Sequence, residues 1–517
     1  MNEPSRGLEG SESQLDDYID PGAERRVIRK LDICIGIPIG ILFLLSYLDR
    51  SNLGNAFSAG LATDLKLPAN GINVSTSIFY VTYVLFEIPS AMLFKRIGAR
   101  KIIPFITVMW GLCTLFTGFV TNYASLIATR LVLGAAESGF FPILSVYLSI
   151  FYRREELGQR TSYLFVSAAI SGAFGGILAF GIFHMDGIGG KTGWAWLYII
   201  EGILTTVCGF ASYWVLADDF ENAWYLNEDD KRIMRLRAKA AQDYQGDGEF
   251  SWSEAGTAFK DPKVWMSGLA QMFADTALFA LSTFLPVIVR TFNKNYTTII
   301  IQLLTVPIYA FASISYILVA SLTDRVGKRG IVLPITALLV SVGYIILLTA
   351  SNSGARYFAC FLAGMMVGLN VSFLNVNNAP SLKRATAAGL QLTLGNSGGI
   401  ISGQIFRSSN APKYTLGYAV SLAFCLAAGV LYILFTLYLS GMNQARDRAQ
   451  QLREGTSGEG SATQALDSGH GASVGVKGED AQATSSLAIK VRRSFLRTGT
   501  GAEKDFGDRK LDFRYYL

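Results

Sequence analysis

About twelve stretches of roughly 20 mostly apolar residues recur along this chain, and that is the length a helix needs to cross the core of a bilayer. With 51% hydrophobic and 16% charged residues over 517 positions, and a mean hydropathy of +0.34, the sequence is too apolar for a soluble protein of this length. The pattern therefore predicts a polytopic, all-α membrane protein. The predicted spans are 31–60, 73–94, 102–121, 124–150, 161–183, 196–216, 264–290, 299–321, 331–350, 355–377, 386–406 and 415–440.

Two sets of six spans flank a charged middle segment, which predicts two six-helix bundles. The expected organisation is an N-terminal tail at 1–30, bundles at 31–216 and 263–440, a central loop at 217–262 and a C-terminal tail at 441–517. The central loop is predicted to include a short amphipathic helix lying against the membrane. Within the tail, 455–486 is rich in Gly, Ser, Ala and Thr, a composition that predicts disorder.

Basic residues are concentrated in alternate loops. This distribution explains the net charge of +6 by the orientation of the protein in the membrane rather than by nucleic-acid binding. The loops after spans two, four, eight and ten contain Lys95, Arg96, Arg100, Lys101, Arg153, Arg154, Arg160, Arg325, Lys328, Arg329, Lys383 and Arg384. The positive-inside rule then predicts that both termini are cytoplasmic. The five cysteines lie in apolar runs without paired spacing, which favours neither a disulfide framework nor a metal site.

Ionisable residues associated with the apolar runs give the strongest functional signal. Arg130 and Glu137 lie in span four, and Asp49 and Arg50 follow the first apolar run. A charge at bilayer depth costs about 2.5 to 3.5 kcal/mol on insertion scales, so it is retained mainly where it faces a polar cavity and has a partner. Arg130 and Glu137 are about two helical turns apart and project from one face. The pattern predicts transport of an anion with a proton, and the alternative is a structural ion pair that fixes span four.

Two local motifs occur at matching places in the two halves, Lys95–Lys101 (KRIGARK) and Asp324–Arg329 (DRVGKR). Together with the Arg130-x-x-x-Gly134 run and the two six-span halves, they resemble the major facilitator superfamily over about 31–441. Within that range, three segments resemble the anion:cation symporter family: Tyr47–Asn52, Arg130–Glu137 and Phe140–Pro142. The sequence is similar to its fungal branch, permeases for allantoate, nicotinate, pantothenate and related acids, at Glu87–Ser90, Trp194–Leu197 and Asp512–Tyr515.

The resemblance implies roles for the four charged residues. It assigns proton coupling to Asp49 and Glu137, and it assigns the substrate carboxylate to Arg50, whose planar donor fork suits that group. Arg130 is expected to contact substrate as a second cavity arginine. The structural alternative for Arg50 is a charge that extends to water at an outer vestibule.

Other polar side chains in the spans are candidate substrate contacts. Tyrosine rings can stack on an aromatic ligand, and amides can bind carboxylate oxygens. Each residue can equally pack against, or hydrogen-bond to, a neighbouring helix. The candidates are Tyr80, Tyr83, Gln271, Asp275, Asn370, Asn375, Asn378, Gln391 and Asn396, whereas Glu87 and His184 are expected to be structural.

Arg96, Asp324 and Arg325 are predicted to form a cytoplasmic gate by ion pairing with the opposite half. The superfamily usually has aspartate where Lys95 stands, so Asp324 is the better gate candidate. The proline-containing antiporter signature of span five is incomplete in Ser171–Gly176, which has glycine in place of proline.

The predicted function is import of a small organic anion, a carboxylate or vitamin-like acid, coupled to protons by alternating access. A drug/proton antiporter and a non-transporting nutrient receptor are the alternatives. We expect a monomer in contact with lipid, substrate and protons, located in the plasma membrane or, as the alternative, in the vacuolar membrane. We expect no nucleic-acid partner, no cofactor and no enzymatic activity.

Overall fold

A computed structural model describes residues 19–245, 252–293, 295–365, 370–378, 381–466 and 515. The described residues form helices joined by short loops. Ten of the described helices are long and apolar enough to cross a membrane. We number the helices of the two bundles α1 to α12 in chain order and refer to the others by their bounds.

The N-terminal bundle contains α1 to α6. α1 continues without a break from a polar helix, Pro21–Leu31, through a π-helical turn at Asp32–Gly36. The apolar residues of this bundle are either buried between its helices or exposed on the outside of the bundle. Exposed apolar side chains are expected where a helix faces lipid. The helices are α1 (Ile37–Ser58), α2 (Gly71–Ile97), α3 (Ala99–Thr117), α4 (Tyr123–Glu137 and Phe140–Phe151), α5 (Arg154–Ile182) and α6 (Gly193–Val215).

The C-terminal bundle contains α7 to α12. The tenth and eleventh predicted spans are not among the ten long apolar helices: α10 has two segments on either side of 366–369, which lie outside the described residues, and α11 is rich in small and polar residues. The helices are α7 (Pro262–Arg290), α8 (Thr298–Val326), α9 (Arg329–Thr349), α10 (Ser353–Ala363 and Asn370–Val376), α11 (Ser381–Ile405) and α12 (Thr415–Leu466).

The last helix corrects one expected boundary. A tail is predicted at 441–517, with disorder at 455–486, but α12 continues to Leu466, so 441–466 is helical. Residues 444–453 are mostly strong helix formers, which explains why the helix continues beyond its apolar part. The remainder of the predicted disordered segment, 467–486, lies outside the described residues.

The central segment folds onto the end of the N-terminal bundle. The predicted amphipathic helix corresponds to Glu228–Gln245 and is followed by a helix at Trp252–Phe259. Arg237 is 3% exposed and reaches Glu24 and Glu156 at 2.5 Å each. Lys30 and Asp230 form another ion pair at 2.5 Å. These pairs fix the central helix to the face of the bundle that carries the basic loops, which we call the basic face.

In each of the two matching loop motifs, a glycine with positive φ ends the preceding helix. Gly98 ends α2 with a φ of 86°, and Gly327 ends α8 with a φ of 67°. Positive φ is readily available only to glycine, which explains its place in both motifs. The two turns nevertheless differ, because ψ is 160° at Gly98 and 6° at Gly327.

The two bundles meet along three helix pairs, α1 with α7, α2 with α11, and α5 with α8. At the face opposite the basic loops, the Asn73 amide donates to the carbonyls of Gly403 and Phe406 at 2.6 and 3.0 Å. There Arg290 donates to the Ser58 carbonyl at 2.8 Å, and Gln302 donates to the Ser58 hydroxyl at 2.8 Å. The bundles are thus joined by hydrogen bonds at this opposite face.

Near the C-terminus, Tyr515 docks on the basic end of the second bundle. Its hydroxyl accepts from Lys263 and Arg446 at 3.1 Å each, and both cations lie 4.4 Å from its ring centre. Asn443 exchanges two hydrogen bonds of 2.9 Å with its backbone. The side chain is only 6% exposed. This residue therefore fixes the C-terminal end of the chain to α7 and α12.

A lysine pair stabilises an acid beside this docking site. Asp261 lies 2.7 Å from the Lys383 ammonium and 3.4 Å from that of Lys263. Burial acts to raise the pKa of Asp261, but these two cations hold it below its usual value. Asp261 therefore stays ionised and joins the start of α7 to the start of α11.

We expect Tyr515→Ala to lower the free energy of unfolding by about 2 to 4 kcal/mol, because it removes a buried ring and two cation–π contacts. Tyr515→Phe keeps the ring and should lose less than half as much. Thermal unfolding of the full-length protein in detergent measures both. Equal melting temperatures for the wild type and Tyr515→Ala would contradict the docking.

Candidate functional site

Asp49 and Arg50 point in different directions because neighbouring helical residues are about 100° apart around the axis. Arg50 lines a cavity between the two bundles. Asp49 is 1% exposed and is not among the residues that line this cavity. Asp49 and Arg50, which are adjacent in sequence, thus lie in different environments, one buried away from the cavity and one at its wall.

The centre of the site is an ion pair between α1 and α4. The Arg50 Nε donates to Glu137 Oε1 at 2.7 Å, and the Ser46 hydroxyl donates to the same oxygen at 2.5 Å. The side chains of Arg50 and Glu137 are 10% and 0% exposed. Breaking a buried pair by removing one partner costs about 3 to 5 kcal/mol, so each charge depends on the other.

Aromatic rings surround the guanidinium of Arg50. Its central carbon lies 4.9 Å from the ring centre of Tyr47, 4.7 Å from that of Tyr83 and 5.7 Å from that of Phe79. Such cation–π contacts contribute about 0.5 to 2 kcal/mol each and limit the side chain's freedom. Arg50 is therefore held in one orientation at the cavity wall.

The cavity contains about 710 Å³ of space not filled by atoms, including the part that opens to solvent. The N-terminal bundle contributes Tyr47, Arg50 and Tyr80, and the C-terminal bundle contributes Phe279, Ser282 and Tyr309, among others. Tyr80 and Phe279 face each other across the interface with ring centres 5.0 Å apart. The walls are thus largely apolar and aromatic, with one guanidinium.

Arg130 does not pair with Glu137, although both are buried on one helix as the spacing predicts. Its Nη2 instead donates to the Tyr198 hydroxyl at 2.6 Å, and its guanidinium lies over the Tyr198 ring at 5.6 Å. Arg130 is 3% exposed and does not line the described cavity. It connects α4 to α6.

Glu201 was missed by the sequence reasoning. It lies in α6, is 0% exposed and accepts a hydrogen bond from the Asn52 side-chain amide of α1. The sequence does indicate Glu201, because it is a single acid inside an apolar run, which is also the feature that identifies Glu137 as a candidate. The helices of the N-terminal bundle therefore bury four carboxylates, those of Asp49, Glu87, Glu137 and Glu201.

Four of the C-terminal candidates form one hydrogen-bonded group with Ser267. Gln271 donates to Asp275 at 2.8 Å, and Asn370 donates to Gln271 at 3.1 Å. Ser267 donates to Asn370 at 3.0 Å and accepts from Gln391 at 2.9 Å. None of the four lines the described cavity. In this conformation they join α7, α10 and α11, which fits the interhelical alternative.

The remaining candidates lie apart from this group. Asn378 donates to the Leu374 carbonyl of α10 at 2.9 Å, and Asn375 is partly buried on the same helix. Asn396 reaches Glu87 at 3.3 Å, and Thr393 donates to the other oxygen of Glu87 at 3.1 Å. Glu87 thus joins α2 to α11 across the interface between the bundles.

The residues of the predicted gate are exposed where they are described. Arg96 and Arg325 lie at the basic face, and the side chain of Asp324 lies outside the described residues. Within the described part of the chain, no ion pair of Arg96 or Arg325 is present. The gate stays a prediction.

The buried charges and the cavity between two helical bundles are the features of a membrane transporter. The chain belongs to the Major Facilitator Superfamily, whose family model matches residues 39–403. The protein is an integral, multi-pass membrane protein, and the predicted fold of two six-helix bundles is confirmed.

Relatives and solved structures agree with this assignment. Two uncharacterized transporters of Schizosaccharomyces pombe are 42% identical and align with 81% and 83% of this chain and 84% and 86% of theirs. The high-affinity nicotinic acid transporter of Saccharomyces cerevisiae is 35% identical over 78% of this chain and 75% of its own. A D-xylose-proton symporter shares the fold with a TM-score of 0.61 at 12% identity, covering 78% of this chain and 97% of that structure.

Proposed function

We propose that this protein is a proton-coupled symporter that imports a small organic anion. The observation that carries the proposal is the Arg50–Glu137 pair at the wall of the cavity. In this conformation, the Glu137 carboxylate binds the Arg50 guanidinium, which a substrate carboxylate would also need. The two anions therefore compete for one cation.

This competition couples the anion to a proton. When a substrate carboxylate takes the guanidinium of Arg50, Glu137 loses its counter-charge inside a buried site. An unpaired buried carboxylate is costly, so Glu137 takes up a proton. The site then has the same net charge with the anion and the proton bound as it has when empty. The bundles can therefore rearrange with substrate and proton together. Release of the anion returns Glu137 to Arg50 and frees the proton.

The cavity walls support a planar, partly apolar acid as the substrate. Tyr47, Tyr80, Phe279 and Tyr309 offer aromatic surface beside the single guanidinium. The similarity to a nicotinic acid transporter is consistent with this chemistry. We place the chain in the anion:cation symporter family, in the fungal branch of organic-acid permeases.

The membrane orientation and the transport cycle complete the proposal. The basic face is cytoplasmic, as are both termini, because the basic loops lie there. The face joined by Asn73, Ser58 and Arg290 is then extracellular and is closed in this conformation. Arg96, Asp324 and Arg325 close the other face when the cycle reverses. The protein acts as a monomer in the plasma membrane and does no catalysis.

Uptake of a panel of radiolabelled acids by yeast that expresses the protein tests the proposal. The panel includes nicotinate, allantoate and pantothenate, at pH 5 and pH 7.5, with and without a protonophore. We expect saturable uptake of at least one acid that is faster at pH 5 and abolished by the protonophore. Uptake of an acid that ignores both pH and protonophore would overturn the proton coupling. No uptake by protein shown at the cell surface would favour a receptor or an exporter.

Arg50→Lys should reduce uptake of the transported acid by about 10- to 100-fold. Lysine keeps the charge but loses the planar fork that can hold a carboxylate while stacked among Tyr47, Phe79 and Tyr83. Charge-assisted hydrogen bonds contribute about 1.5 to 3 kcal/mol, which sets that range. The measurement is uptake as a function of substrate concentration, corrected for surface expression. Unchanged uptake would place the substrate carboxylate elsewhere.

A further inference from the structure

The helix that leads into α1 carries exposed side chains along one side. It begins at Pro21 and continues through the π-helical turn into α1, so that the two form one continuous helix. Exposed residues recur at every fourth position along it, at Arg25, Arg29, Ile33, Ile37 and Ile41. Side chains at this spacing lie above one another on the helix surface. We call these five residues the exposed stripe, which changes from apolar to basic between Ile33 and Arg29.

The inner side of the same helix is held by ion pairs. Glu24 lies 3.1 Å from Arg153 and 2.5 Å from Arg237. Asp32 binds Arg160 at 2.9 Å. The two acids that flank the basic part of the stripe are therefore paired with the first bundle and the central helix. They do not neutralise the arginines on the outer side.

Three arginines on the outer side are left for another partner. Arg25, Arg26 and Arg29 are exposed, and within the described part of the chain none of them forms an ion pair. The acid before them, Asp20, caps the helix by accepting from the backbone N–H groups of Gly22 and Ala23. The outer side thus presents three guanidinium groups within five residues, a charge that fits an anion outside the described part of the chain.

The apolar part of the stripe places these arginines relative to the membrane. Exposed Ile33, Ile37 and Ile41 are expected to face lipid chains. At 1.5 Å per residue, Arg29 lies about 6 Å and Arg25 about 12 Å beyond Ile33 along the helix. The headgroup layer is about 5 to 8 Å thick on each side of the bilayer. Because arginine side chains are long and extend toward polar surroundings, their guanidinium groups can reach this layer.

Tryptophans at the same end of the bundle indicate the interface independently. Trp214 of α6 and Trp224 of the central segment are both exposed, and the Trp224 indole donates to the Val215 carbonyl at 3.3 Å. Tryptophan is enriched where membrane meets water. The central segment that carries Trp224 is joined to the arginine-bearing helix by the ion pair of Lys30 and Asp230. Aromatic and basic side chains therefore occur together at this end.

We propose that Arg25, Arg26 and Arg29 bind the headgroup of an anionic phospholipid, whose acyl chains lie along Ile33 and Ile37. Guanidinium groups bind phosphate oxygens in a bidentate manner, and the isoleucines supply an apolar contact that only a lipid can use. The bound lipid fixes the start of α1 to the leaflet at the basic face. This site is separate from the cavity and does not depend on the proposed symport.

Mass spectrometry of the intact full-length protein with bound lipid tests the site. Phosphatidylserine is titrated in neutral detergent into the wild type and into R25Q/R26Q/R29Q, where glutamine preserves the helix. Each basic side chain near an anionic membrane surface contributes about fivefold to binding. The affinity for the first phosphatidylserine should therefore fall at least tenfold. The matched control K260Q/K328Q/R448Q removes the same charge from exposed positions of the other bundle and should stay within about twofold.

Three results would contradict the proposal. Equal affinity of the wild type and of folded R25Q/R26Q/R29Q, checked by thermal unfolding, would place the lipid elsewhere. Full competition by glycerophosphoserine, the same headgroup without acyl chains, would assign the arginines of the wild type to a free phosphate group. Residues 1–18 contain five acids and one arginine, so lipid binding that appears only after their deletion would assign the arginines to that segment. None of these results depends on whether an acid is transported.

Discussion

Glu137→Gln should abolish proton-driven accumulation of the substrate while exchange of internal for external substrate survives. Glutamine can still accept from Ser46 and from the Arg50 Nε through its carbonyl oxygen, but it cannot take up or release a proton. We expect accumulation to fall at least tenfold, to the level set by the substrate gradient alone. Accumulation against exchange in proteoliposomes measures the difference.

The same substitution should make stability depend on the anion. Without Glu137, the guanidinium of Arg50 is a buried charge without its partner, which costs about 3 to 5 kcal/mol. A bound anion replaces the missing carboxylate. The melting temperature of Glu137→Gln should therefore be lower than that of the wild type and should rise more on addition of the transported acid. An accumulation ratio unaffected by Glu137→Gln would contradict the role of this residue.

Gly54→Ala should slow the transport cycle at least tenfold by preventing closure of the opposite face. Gly54 of α1 packs against α7 of the other bundle, where an added Cβ would overlap the Thr283 carbonyl oxygen. Overpacking a tight contact costs about 1 to 3 kcal/mol, and a backbone atom yields less readily than a side chain. The helices must then separate, which disfavours the conformation described here.

Accessibility and transport together identify this effect. In a cysteine-free background, a cysteine introduced at Asn55, which is 5% exposed, should react faster with a polar thiol reagent when Gly54→Ala is also present. Uptake and exchange should fall together, unlike in Glu137→Gln. Gly181→Ala is the matched control, since nothing lies within 4 Å of its added Cβ. Normal uptake by Gly54→Ala would show that this approach of α1 and α7 is not part of the cycle.

The membrane architecture could be predicted because it depends on local composition. Apolar runs of about 20 residues locate the helices. The cost of a charge in the bilayer also selected Asp49, Arg50, Arg130 and Glu137, all of which are buried or nearly so. The partners could not be predicted, since they come from other helices: Glu137 pairs with Arg50 of α1, and Arg130 binds Tyr198 of α6.

Other features depended on tertiary contacts that composition does not encode. The continuation of α12 to Leu466 and the docking of Tyr515 on Lys263 and Arg446 involve residues outside the apolar spans. From the sequence, the side-chain amides of Gln271, Asn370 and Gln391 on α7, α10 and α11 could equally bind substrate or join helices. Their hydrogen bonds to one another are known only once the helices are placed side by side.

The most direct test of the central claim is to measure proton and anion movement together. Purified protein in liposomes that contain a pH-sensitive dye receives the transported acid in labelled form, with no pH gradient imposed. The account predicts that uptake of the acid acidifies the lumen in a fixed ratio to the label, and that Glu137→Gln exchanges the label without acidification. Label entry without any proton movement in the wild type would contradict the account.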